Sequence, residues 1–137
     1  MNRAHLTIAI LCCGSMMSCN DIPGGMRPSY KATDHDRRLT PIARSASATI
    51  TALRKHYAEH STYPVALDDL EPLPPEKSLA GDGQHSWLYR RHDLGTGFTL
   101  WYKLGWDPAL IYECDGVIGH WIFDPGDGSP QKTLALD

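Results

Sequence analysis

The residues whose types and spacing could do chemistry are His56, Glu59 and His60. They stand in an H-x-x-E-H arrangement, which on a helix sets two imidazoles four apart on one face with a carboxylate between them. Such a pair can ligate zinc while the glutamate serves as general base, if a third ligand comes from elsewhere in the chain. Glu71, Glu76 and Glu113 are the glutamates available for that. The bland alternative is two polar histidines at a helix C-terminus, where a protonated ring meets the helix dipole favourably. A second candidate for a metal is Asp124-Pro125-Gly126-Asp127-Gly128, where Asp124 and Asp127 place two carboxylates in one loop of the oxygen-rich kind that calcium takes. Proline and glycine at these positions equally make a plain turn. Cys114 lies in a strand pattern with no activating neighbour in sequence, so a buried, inert thiol is expected. No Ser–His–Asp set, phosphate loop or nucleotide fingerprint is present. The chain therefore reads as non-enzymatic, without catalytic residues, resident metal or cofactor. Zinc-dependent hydrolysis through His56, Glu59 and His60 is the least favoured function.

Four tryptophans, Trp87, Trp101, Trp106 and Trp121, are many for one short sheet. Alternation puts Trp101 opposite Phe98 and Leu100, so at least part of this set can form an exposed aromatic contact surface. The alternative is a sheet buried on both faces, and alternation alone does not choose between them. The charge does exclude one class of partner. With 13 Lys and Arg against 16 Asp and Glu the net charge is −3, mixed along the chain, so no basic stripe and no nucleic-acid partner are expected.

These residues have to be positioned by one domain, because 137 residues suit a single core. Before it, Arg3 precedes a short apolar run from Leu6 to Cys13 and a small-residue region ending at Cys19. That is the pattern of a secretory signal, and it is too short for a permanent span of about 20 apolar residues. Met16-Met17-Ser18-Cys19 resembles a lipobox, which implies cleavage before Cys19 and a lipid on its thiol. Residues 1–18 are thus expected to be a lipoprotein signal peptide. Residues 19–34, punctuated by Pro23, Gly24, Gly25 and Pro28, are expected to be a flexible tether. Residues 35–137 form the folded domain. Cys12 and Cys13 leave with the signal, so Cys114 has no partner for an internal disulfide.

Within the domain, Leu39, Ile42, Ala46, Ile50, Leu53 and Tyr57 recur at helical spacing, which predicts one long amphipathic helix. Thr40-Pro41 predicts its start and Ser61 to Pro64 its end near His60. Leu67, Leu70 and Leu73 suggest a short helical turn. The period then changes to two. Trp87-Tyr89, Phe98 to Leu104, Leu110 to Cys114 and His120 to Phe123 predict three or four strands in an antiparallel meander, with Asp115-Gly116 as a hairpin turn. The expected fold class is α+β, one long N-terminal helix packed on that sheet.

The stretch Ala52 to Pro64, with Tyr57 closing the helix and Tyr63-Pro64 shortly after, resembles the soluble domains of type II secretion pseudopilins and other pilin-like proteins. Leu67, Leu70, Trp87-Leu88-Tyr89 and Trp121-Ile122-Phe123 extend the likeness over roughly residues 40–123. The resemblance implies a pilin-like fold and, in some members, calcium near the C-terminus. The chain departs from that family in having a short signal and Cys19 where pseudopilins carry a glycine cleavage site and a filament helix. The expected function is accordingly a lipid-anchored, periplasm-facing envelope lipoprotein that binds another protein, as an accessory or an inhibitor or immunity factor. A pseudopilin-like component of a secretion system is the alternative. Asn20 after Cys19 resembles the sorting pattern of outer-membrane lipoproteins.

Overall fold

The computed structural model describes residues 26–27, 29–70 and 87–136. Two helices come first, α1 (Leu39–Ser45) and α2 (Ser47–His60). A 3-10 turn follows at Leu67–Asp69. Five strands complete the fold, β1 (Trp87–Arg91), β2 (Gly97–Lys103), β3 (Ala109–Asp115), β4 (Ile118–Asp124) and β5 (Lys132–Leu134). Each strand pairs antiparallel with the next, in the order β1-β2-β3-β4-β5.

This corrects the expected α+β, pilin-like arrangement of one long helix over three or four strands. Among the described residues the helical segment is two short helices, the sheet has five strands, and strand residues outnumber helical ones, so this part of the chain is mostly β. The break falls at Ala46, whose φ of −87° and ψ of −8° lie at the edge of the right-handed α region. Ser45 causes it: its hydroxyl donates back to the Ile42 carbonyl at 2.6 Å while accepting the Trp87 indole N–H at 3.0 Å. A serine that bonds the preceding turn competes with the helical ladder and bends it. The fifth strand is three residues long and runs beside β4 through Trp121–Leu134, Ile122–Thr133 and Phe123–Lys132 pairs.

The start of α1 is also set differently from expectation. Thr40 does not cap it; its hydroxyl is buried with no hydrogen-bond partner among the described residues. Asp36 takes that role, accepting the backbone N–H of Arg38 at 2.9 Å and of Leu39 at 3.3 Å. Its carboxylate also accepts the Tyr30 hydroxyl at 2.7 and 2.8 Å. Burial works to raise the Asp36 pKa, but the bonds from Tyr30, Arg38, Thr33 and Leu39 outweigh it and hold the carboxyl below its ordinary value. Asp36→Ala should therefore destabilise the domain by about 1–2 kcal/mol. A carboxyl with a lowered folded pKa stabilises fully above its unfolded value, about 3.9, and loses that contribution as pH falls through the folded one. The gap between wild type and Asp36→Ala in urea unfolding should thus be full at neutral pH and close below about pH 4.

The core lies between the helices and one face of the sheet. Leu39, Ala43, Ala46, Ile50 and Leu53 pack against Trp87, Phe98, Leu100, Leu110, Tyr112 and Cys114. Much of it is aromatic, and the rings form a continuous chain. Tyr57 stacks on Tyr63 at 4.6 Å and Tyr63 meets the edge of Phe98 at 4.7 Å. Phe98 touches Tyr112 at 5.9 Å, and Tyr112 leads through Trp121 to Trp87 and Tyr102. Tyr63 joins the helical half to the sheet: it is fully buried, and its hydroxyl donates to the Gly116 carbonyl at 2.6 Å. Burial and the Cys114 thiol at 3.5 Å push its pKa well above the usual phenol range.

The hairpin between β3 and β4 turns on Gly116 and Val117, one residue later than the Asp115-Gly116 pair suggested by sequence. Of these two only Gly116 has a positive φ, +59°, as the first position of a type II′ turn requires.

The stretch from Met26 to Asp34, expected as part of the tether, packs on the domain where it is described. Met26 is buried and donates its N–H to the Leu104 carbonyl at 3.2 Å. Tyr30 packs on Phe123 at 6.0 Å, and Asp34 accepts the Ala135 N–H at 2.9 Å. Residues 1–25, which hold the expected signal peptide and Cys19, lie outside the described residues. No helix among the described residues is long and apolar enough to cross a membrane.

Candidate functional site

The two faces of the sheet have different fates, and this sorts the tryptophans. Strand alternation sends Trp87, Tyr89, Phe98, Leu100, Tyr102, Leu110, Tyr112, Trp121 and Phe123 towards the helices. The other face carries Leu88, Trp101, Ile111, Ile122 and Thr133. Their register brings them opposite one another across all five strands: Leu88 with Trp101, Trp101 with Ile111, Ile111 with Ile122, and Ile122 with Thr133. Four apolar side chains thus form one row across the face that the described helices leave open, exposed at Leu88, partly exposed at Trp101 and Ile111, and buried at Ile122. Leu88, at its edge, is 53% exposed. A groove of about 350 Å³ runs along the row, lined by Leu88, Tyr89, Arg90, Thr99, Trp101 and Ile111.

The neighbouring row is polar, with Arg90, Thr99, Glu113 and His120 in register. His120 lies 3.9 Å from the Glu113 carboxylate, and the Thr99 hydroxyl meets His92 at 2.9 Å. An apolar centre bordered by mixed charge is the anatomy of a protein contact patch. At the hairpin ends beyond it, Leu94, Val117 and Ile118 are also exposed, and the two tips are tied by Gly116 N–H to Thr96 carbonyl at 2.8 Å.

Of the four tryptophans, two belong to the core. Trp87 is buried, and Trp121, half-buried, packs on Tyr112 at 4.8 Å. Trp101 sits on the open face, and Trp106 is 78% exposed in the β2–β3 loop under the Lys103 ammonium, 5.7 Å from the ring centre. Leu88 and Ile111 join Trp101 in the patch, with Ile122 buried at the end of the row, and no single strand's pattern marks these three.

The other candidates are brought together less fully. His56 and His60 do face each other, with ring centres 4.3 Å apart. His56 Nδ1 donates to the Thr62 carbonyl at 3.0 Å, and Glu59 turns to Lys55 at 3.9 Å. Glu113 lies on the sheet's open face, away from α2, while Glu71 and Glu76 lie outside the described residues. No group of three or more His, Cys, Asp or Glu among the described residues could hold a metal ion. Asp124 and Asp127 shape their own loop: Asp124 accepts the Gly126 N–H at 2.9 Å and Gln131 Nε2 at 2.8 Å, and Asp127 accepts the Ser129 N–H at 2.9 Å. Gly126 and Gly128 take φ of +75° and +85° there. Cys114 is buried, its thiol directed at the Gly116 carbonyl.

No family model, curated protein or solved structure matches this chain.

A second groove, of about 410 Å³, lies on the helix side between α1, α2 and β3–β4, with Arg44, Ser47, Thr51, Arg54, Tyr112 and Trp121 among its lining residues. Arg54 Nη2 donates to the Tyr112 hydroxyl at 2.7 Å. Burial raises the Tyr112 pKa, and the Arg54 charge works against it. Gly119 makes this possible, because a Cβ there would run into the Tyr112 hydroxyl.

Proposed function

We propose that this protein is a non-enzymatic lipoprotein of the cell envelope that faces the periplasm and binds another protein through the open face of its sheet. The observation that carries the binding role is the in-register row Leu88, Trp101 and Ile111, continued by the buried Ile122, on the face that the described helices do not cover. A partly exposed tryptophan at the centre of an apolar patch with a polar border is the kind of residue that dominates contact energies. The partner it suits has an apolar centre and a mixed-charge rim, as expected for an inhibitor, an immunity factor or an accessory of an envelope complex.

The envelope address is supported by the basic start, the short apolar run and Ser18-Cys19. Cys19→Ala should abolish incorporation of labelled palmitate and move the protein out of the membrane fraction. Label or membrane attachment that persists in this variant would contradict the anchor. The binding role is tested by isolating the full-length protein with its partner from solubilised envelopes. The same band should accompany wild type and Trp106→Ala but not Trp101→Ala; equal recovery with all three would sink the open-face reading.

A further inference from the structure

The mixed charge of the sequence conceals a separation along the chain. Residues 26–55 hold seven Lys and Arg against two Asp, whereas residues 56–137 hold five against thirteen Asp and Glu. Both acids of the basic segment are turned to backbone amides, Asp34 to Ala135 and Asp36 to Arg38 and Leu39. Its cations point outward: Arg27, Lys31, Arg38, Arg44 and Arg54 are all exposed. Arg27, Lys31 and Arg38 line a groove of about 520 Å³ around Tyr30, and Arg44 and Arg54 line the helix-side groove. All five lie on the helix side of the sheet, because Tyr30 packs on Phe123 and α1 and α2 cover the same face.

We propose that this basic helix side docks on an anionic phospholipid surface, so that the membrane-held domain presents the open sheet face to the periplasm. The inference rests on the Cys19 anchor. Six residues lie between Cys19 and Met26, so the seven Cα–Cα steps reach at most about 25 Å. The cations at Arg27, Lys31 and Arg38 follow directly, so they lie within the anchor's reach of the headgroups. An anionic leaflet attracts juxtamembrane cations within roughly a Debye length, about 8 Å at physiological salt. Docking by this side turns Leu88, Trp101 and Ile111 away from the bilayer, where a soluble or membrane-standing partner reaches them.

The test uses the full lipidated chain in vesicles with a nickel chelate on the lipid headgroups. A spin label at Ser47→Cys reports the helix side, and one at Leu88→Cys reports the open face; Cys114 is buried and stays unlabelled. In vesicles containing phosphatidylglycerol the Ser47 label should be relaxed by nickel and the Leu88 label spared. The contrast should fade in high salt and in pure phosphatidylcholine. Lys31→Gln and Arg44→Gln should each lower the docked-to-undocked ratio about fivefold. Equal relaxation of the two labels, or a contrast indifferent to lipid charge, would overturn the dock. Flotation with pure phosphatidylcholine vesicles reads the anchor separately. Loss of that flotation with charge-dependent binding retained refutes the anchor alone, and flotation without a label contrast refutes the dock alone.

Discussion

Phe98→Ala should lower the stability of the domain by about 3–5 kcal/mol, enough to lower the melting temperature by more than about 12 °C. Phe98 is fully buried at the middle of the aromatic chain, touching Tyr63, Tyr89 and Tyr112. Its removal takes away the transfer energy of the ring and leaves a cavity that the surrounding aromatic rings, held by hydrogen bonds, fill poorly. Tyr63 is fixed to Gly116, Tyr89 donates to the Pro64 carbonyl at 2.7 Å, and Tyr112 is held by Arg54. Burial raises the Tyr89 phenol to about 12, so that bond persists through the ordinary range of pH. Thermal unfolding followed by near-ultraviolet circular dichroism measures the loss; a shift of only a few degrees would mean that the core is not organised around this ring.

The second large effect concerns binding. Trp101→Ala should weaken the complex by about 2 kcal/mol or more, some thirtyfold in Kd, while the fold survives. The side chain stands on the face opposite the core, so its loss removes cross-strand contact with Leu88 and Ile111 at a cost of about 0.2–1 kcal/mol each. Titration calorimetry with the isolated partner and a melting curve of the same variant separate the two effects. A large drop in stability with unchanged affinity would place Trp101 among structural residues instead.

The strands were legible because their apolar positions alternate cleanly, as at Phe98, Leu100 and Tyr102. β5 was not, since Lys132-Thr133-Leu134 offers one apolar residue and holds its place through pairing with β4. The helix break was hidden for a different reason. Leu39, Ile42, Ala46, Ile50 and Leu53 keep their spacing across it, and its cause involves the Trp87 indole, 42 residues away in sequence. Thr40-Pro41 carries the stronger local start signature and so masked Asp36, although an aspartate three residues before Leu39 is a capping signal in its own right. At the candidate site, alternation separated Trp101 from Phe98 and Leu100 but could not say which face the helices cover. The apolar row also needed inter-strand register, which no single strand's pattern contains. That is why Trp87 and Trp121 joined the expected surface and Leu88, Ile111 and Ile122 did not.

The most direct measurement is site-specific photo-cross-linking in intact cells. A photoreactive residue placed at Leu88, on the edge of the apolar row, should give one defined protein adduct. The same residue at the exposed Ala58 of α2 should give none of it. An adduct from Ala58 and none from Leu88 would contradict a partner on the open face of the sheet.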